Sequence, residues 1–166
     1  LHDDLQLSRS VVGKVVIANP DILQWSIEHK IVPAVAEIAA IVGLEEVGNV
    51  ITKLPAIFGM IEGIPSRIYW LREVVGLSKA EVRTVIQKAP AILTYSVSGN
   101  LNPKWTFIHK SMGAKGSDVV EAPRELFCAN LQQRAMPRYA FTVSKLAGTA
   151  AKVNVTSILG GSDAQF

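Results

Sequence analysis

Three cations stand at comparable places just past a proline: Arg67 in Pro65-Ser66-Arg67, Lys104 in Pro103-Lys104 and Arg138 in Pro137-Arg138. When the segments are aligned on the glycine that closes each one, the same position holds Ala34 in the first. Proline is tolerated in the first turn of a helix, so the pattern predicts that all four residues follow a helix start. Free backbone N–H groups and the positive end of the helix dipole favour an anion there. A cation repeated at that end is unfavourable alone, and a phosphate held between the two would resolve the conflict. Arg134, one turn before Arg138, extends the row. Phosphate contacts give affinity without sequence choice, and about four of them predict a log–log salt slope of about −3 to −4. Lys79, Arg83, Lys88 and Lys110 form a secondary basic set expected to face solvent. The competing reading is that these stems cover apolar surface while their charges stay wet.

Other chemistry finds no footing. The chain has no glycine-rich phosphate loop, metal-ligand spacing or nucleophile–base set, so no catalytic residue, metal or cofactor is expected. Cys128 is the one cysteine and reads as a small buried apolar side chain. His2, His29 and His109 are scattered without ligand spacing. Ser96 and Ser98 read as turn and capping residues. The longest apolar stretch, 31–43, contains Pro33 and Glu37. It is shorter than the ~20 residues that cross a bilayer, and no membrane partner is expected. The start at Leu1, followed by His2-Asp3-Asp4, reads as a fragment or a processed protein, without a signal peptide at this end.

The elements that must position these cations repeat. Pro20, Pro55, Pro90 and Pro123 recur at intervals of 35, 35 and 33 residues, within Pro-Asp-Ile-Leu, Pro-Ala-Ile-Phe, Pro-Ala-Ile-Leu and Pro-Arg-Glu-Leu. A period of this size marks a helical-repeat array. Pro33, Pro65, Pro103 and Pro137 then each open a segment of about ten helix-patterned residues ending at Gly43, Gly76, Gly113 and Gly148. Asn102 is expected to cap one of them. Ile38, Leu71, Ile108 and Val143 align as core, as do Val35, Ile68, Trp105 and Tyr139. A shorter helix precedes each first proline, with Val82, Val85 and Ile86 behind a Ser78-x-x-Glu81 capping box and Val47, Val50 and Ile51 in the same columns. The two apolar residues after each first proline are expected to sit under the corner. Each unit reads as helix, proline turn, helix, and such units must stack to bury their apolar faces.

The expectation is a single all-α solenoid over 1–166. Its repeats fall at about 1–43, 44–76, 77–113 and 114–148, and 149–166 closes the last repeat through Val153, Ile158, Leu159 and Phe166. Charge is unevenly spread. The net +3 resolves into −3 over residues 1–76 and +6 over 77–166, and a basic half is the footprint of phosphate contact.

Pro90-Ala91-Ile92-Leu93 followed by Leu101-Asn102-Pro103-Lys104, and the run Leu131-Gln132-Gln133-Arg134-Ala135-Met136-Pro137-Arg138-Tyr139, resemble the repeats of the mTERF family, with a flavour of its plant and algal members. The tail Ile158–Phe166 resembles the end of that family's array. The second repeat departs from it, with 10 residues between its prolines where the first has 13. The resemblance implies a superhelical, non-enzymatic and monomeric protein of mitochondria or chloroplasts. Its partner would be double-stranded DNA or structured RNA, in transcription termination, transcription regulation or RNA processing. The alternative is a protein-interaction scaffold, such as a subunit or assembly factor of an organellar ribosome or a partner of an RNA-modifying enzyme.

Overall fold

Residues 7–146 and 155–160 are described by the computed structural model, and among them there are helices and turns but no strand. The fold is all-α and built from helical repeats. Packing divides the chain into two compact units, Leu1–Thr94 and Tyr95–Phe166, so the repeat expected over 77–113 spans the division. The first unit holds α1 (Arg9–Ala18), α2 (Val32–Val42), α3 (Leu44–Lys53), α4 (Ile64–Glu73) and α5 (Lys79–Lys88). The second holds α6 (Asn102–Met112), α7 (Gly116–Glu121), α8 (Pro123–Cys128), α9 (Met136–Leu146) and α10 (Val155–Gly160).

The recurring proline sets one backbone conformation at all four junctions. Asn19, Leu54, Ala89 and Ala122 end their helices with φ between −139 and −133° and ψ between 59 and 76°. Proline's Cδ excludes the helical region for the residue before it, so each helix stops there. The chain then enters a 3₁₀ turn at Pro20–Gln24, Pro55–Gly63 and Pro90–Thr94, and α8 at the fourth junction. Ile57 with Phe58 and Ile92 with Leu93 are buried under these corners, and Leu126 with Phe127 does the same work in α8. At the first corner only Ile22 is buried; Leu23, expected beside it, is 74% exposed.

Ahead of the second proline lies an element absent from the sequence reading. Residues Ile27–Ile31, Val97–Leu101 and Leu131–Ala135 form π turns that run directly into α2, α6 and α9. Ser26 Oγ, Ser96 Oγ and Asn130 Oδ1 cap them, accepting the N–H of His29, Gly99 and Gln133 at 3.2, 3.1 and 2.8 Å. Pro33, Pro103 and Pro137 lack an N–H and press on the carbonyl four residues back, and the widened π register relieves that clash. The true helix start therefore lies a turn earlier than the prolines suggest. Asn102 is already inside α6, and Ser96 does the capping expected of it. The short second repeat has no room for a π turn, so its 3₁₀ segment passes straight into α4.

Gly43, Gly76 and Gly113 close their segments at φ of 87, 83 and 71°, where a side chain is strained; Gly148 lies outside the described residues. Ile38, Leu71 and Ile108 are buried, together with Val47, Val50, Ile51, Val82, Val85 and Ile86, and the Ser78–Glu81 capping box is formed. Val143 is exposed, correcting its assignment to the core. Counted from the proline that opens each segment, Thr142, half-buried, stands where Ile108 stands in the third. Ile158 and Leu159 are buried in α10, which packs on α8 and α9; Val153 and Phe166 fall outside the described residues.

Candidate nucleic-acid interface

The row of cations turns inward. Ala34, Arg67, Lys104 and Arg138 each precede by four residues the inward-facing Ile38, Leu71, Ile108 and Thr142. Residues four apart share one helix face, so the row lies on the packed side of its helices. Lys104 is 7% exposed and its Nζ donates to the Phe127 carbonyl at 2.5 Å, at the end of α8. Arg138 is 5% exposed and donates from Nη1 to the Ile158 carbonyl at 3.0 Å, near the end of α10. A cation at a helix C-terminus complements the dipole and satisfies carbonyls that the helix leaves open. Lys104 thus braces the third repeat against the fourth, and Arg138 braces the fourth against α10; their charges meet carbonyls where the sequence pattern expects a ligand. Ala34 carried the clue, because an alanine in the same column does not belong to a charged edge. Arg67, in the first unit, and Arg134, on the last π turn, are half-buried.

The chemistry around Lys104 is tightly packed. Its Nζ lies 5.3 Å from the centroid of the Tyr95 ring. Burial pushes the lysine below its ordinary value, and the nearby Cys128 works against that shift. Burial, a hydrogen bond with Cys128 and the charge of that thiol push the Tyr95 hydroxyl up to about 12. Cys128 is exposed, not buried as the sequence reading had it. Among the described residues no group of three or more His, Cys, Asp or Glu could hold a metal ion.

The secondary set is divided between the two units. Lys79, Arg83 and Lys88 sit on α5 of the first unit and Lys110 on α6 of the second. Lys79, Lys88 and Lys110 are exposed, whereas Arg83 is half-buried and pairs with Glu45. Lys115, Arg124 and Lys145 are also exposed in the second unit and fell outside the sequence pattern because cations do not recur in their columns.

What the repeats do present to solvent is a different stripe, one step of four residues at a time. It runs Glu28, Val32, Ala36, Ala40 in the first repeat and Pro65, Tyr69, Glu73 in the second. In the third it runs Ser98, Asn102, Thr106, Lys110 and in the fourth Gln132, Met136, Ala140, Ser144. All fifteen residues are exposed. The first unit's share is apolar with acidic ends; the third repeat's share is hydrogen-bonding throughout and ends in a lysine. Net charge follows the same division. Leu1–Thr94 carries nine Lys/Arg against ten Asp/Glu, and Tyr95–Phe166 carries eight against four.

Short helix, proline corner, π turn and long helix, with one face packed and one stripe presented, define an all-α helical-repeat protein. The mTERF family model matches residues 1–166, and the chain belongs to that family. It is similar to transcription termination factor MTERF2, chloroplastic, of Arabidopsis thaliana, with 29% identity over 102 residues. That match covers 60% of this chain and 15% of the Arabidopsis protein, so the chain spans a small part of its relative's length.

Proposed function

We propose that this chain is a nucleic-acid-binding part of a protein of mitochondrial or chloroplast gene expression, acting in transcription termination or regulation or in RNA processing. It docks the phosphate backbone of double-stranded DNA or structured RNA through Tyr95–Phe166, without catalysis. The observation that carries this reading is the stripe Ser98, Asn102, Thr106 and Lys110 on a unit of net charge +4. Hydroxyl and amide side chains together with lysine are the groups that bind phosphate and sugar oxygens. Arg134 and the exposed Gln132 and Gln133, at the start of the following helical segment, add to the same chemistry. Membership of a family with a transcription termination factor among its members supports the same reading.

The test is fluorescence anisotropy with labelled duplex DNA, duplex RNA and single strands across a salt series. Salt-sensitive binding to a duplex is expected, and Lys110→Ala and Arg134→Ala should each lower the log–log slope by about 1. A folded sample that binds none of the probes at low salt would refute the proposal.

A further inference from the structure

The outward face of the first unit has the opposite character. α2 spans eleven residues, Val-Pro-Ala-Val-Ala-Glu-Ile-Ala-Ala-Ile-Val, and Glu37 is its single charge. A helix apolar around its whole circumference belongs under cover on all sides. Yet Val32 is 54% exposed, and Ala36 and Ala40 follow it on the same open face. Beside them, between α2 and α4, runs a groove of about 500 Å³ whose walls include Ala40, Ile41, Ile68 and Tyr69. Tyr69 stands over it 67% exposed. Glu37 and Glu73 lie on its rim with Arg72, and Glu37 is shared with a second cleft of about 420 Å³ that adds Glu62 together with His29 and Lys30.

We infer that this groove docks a basic amphipathic helix of a protein partner. The small side chains of Ala36 and Ala40 let a helix backbone come close, since interaxial distance is set by the residues at the contact. Tyr69 supplies a large rigid contact of the kind that dominates interface energetics. The carboxylates of Glu37, Glu62 and Glu73 select for Lys and Arg flanking the partner's apolar stripe, as in helix-in-groove recognition. A second copy of the chain would set the same acidic rim against itself in a two-fold pairing. A phosphate backbone would meet Glu37, Glu62 and Glu73 against Lys30 and Arg72, an excess of like charge. The partner's charge is thus the reverse of that expected at the second unit.

The test uses the chain as it stands and three labelled helical peptides of one composition class. One is basic and amphipathic, one has its Lys and Arg replaced by Glu, and one has the apolar stripe scrambled. The basic amphipathic peptide is expected to bind and the other two to bind at least tenfold more weakly. Tyr69→Ala should weaken binding about tenfold or more, and Glu37→Gln with Glu73→Gln should remove most of its salt dependence. These side chains are exposed or at the rim, so circular dichroism and the melting curve should match the parent. Duplex binding should not change with Tyr69→Ala, which separates this surface from the proposed nucleic-acid interface. No binding of the basic peptide, equal binding of all three, or indifference to Tyr69→Ala would overturn the inference. So would a homodimer, seen by sedimentation, that Ala40→Arg dissociates.

Discussion

Replacing Lys104 by methionine separates a brace from a ligand. Methionine keeps the unbranched stem but cannot donate, so the Phe127 carbonyl loses the Nζ contact at 2.5 Å while the space around it stays filled. A hydrogen bond from a charged donor contributes roughly 1.5–3 kcal/mol, and a buried acceptor left open costs about 1–3 kcal/mol. These are two descriptions of one loss and do not add. Lys104 is 7% exposed, so solvent screening offers little relief. Desolvation of the ammonium in the parent takes back part of the gain, as its depressed pKa shows. The expected destabilisation is about 2 kcal/mol, read as a shift in the urea midpoint at unchanged slope. Duplex binding by the folded variant should retain its salt slope. A variant as stable as the parent, with a salt slope lower by about 1, would refute the brace and return Lys104 to the phosphate contacts.

Two further outcomes follow from the same geometry. The Tyr95 hydroxyl titrates near 12 in the folded protein against an ordinary value of 10, so the folded state holds this proton more tightly. That contribution to stability is fully present below pH 10 and is lost as pH rises towards about 12. The lowered pKa of Lys104 acts in the opposite sense, favouring the folded state as pH climbs. Comparing the parent with Tyr95→Phe in urea titrations from pH 8 upward isolates the phenol, and a stability difference independent of pH would contradict the assignment. Gly113→Ala places a Cβ at φ of 71° with no neighbour within 4 Å of it, so the loss should be purely conformational at about 1–2 kcal/mol. Thermal unfolding measures it, and an unchanged midpoint would mean that the helix end is not held in the left-handed region.

Much of the architecture is written in local sequence. A proline dictates the conformation of the residue before it wherever it occurs, so four prolines at intervals of 35, 35 and 33 residues announce four helix ends without reference to packing. Glycine at φ near +80° and a Ser78–Glu81 capping box are equally local, and they stand where the pattern puts them. The π turns were not legible. They arise when a proline must be accommodated one turn inside a continuing helix, and the choice between starting afresh and widening depends on Ser26, Ser96 and Asn130 catching the earlier N–H groups.

The candidate site divides in the same way. Charge asymmetry along the chain follows from composition and needs no fold. Which cations meet solvent does not, because a lysine or arginine can lie on a packed face if a carbonyl is placed to receive it. The column of Arg67, Lys104 and Arg138 is repeated in sequence, but the Phe127 and Ile158 carbonyls, 23 and 20 residues further along, decide what Lys104 and Arg138 do. The sequence by itself determined the repeat, its helix ends and the acidic-to-basic gradient, because these are set by neighbours along the chain. Only the tertiary structure decided which side of each helix is the surface, because that is set by residues that meet through space.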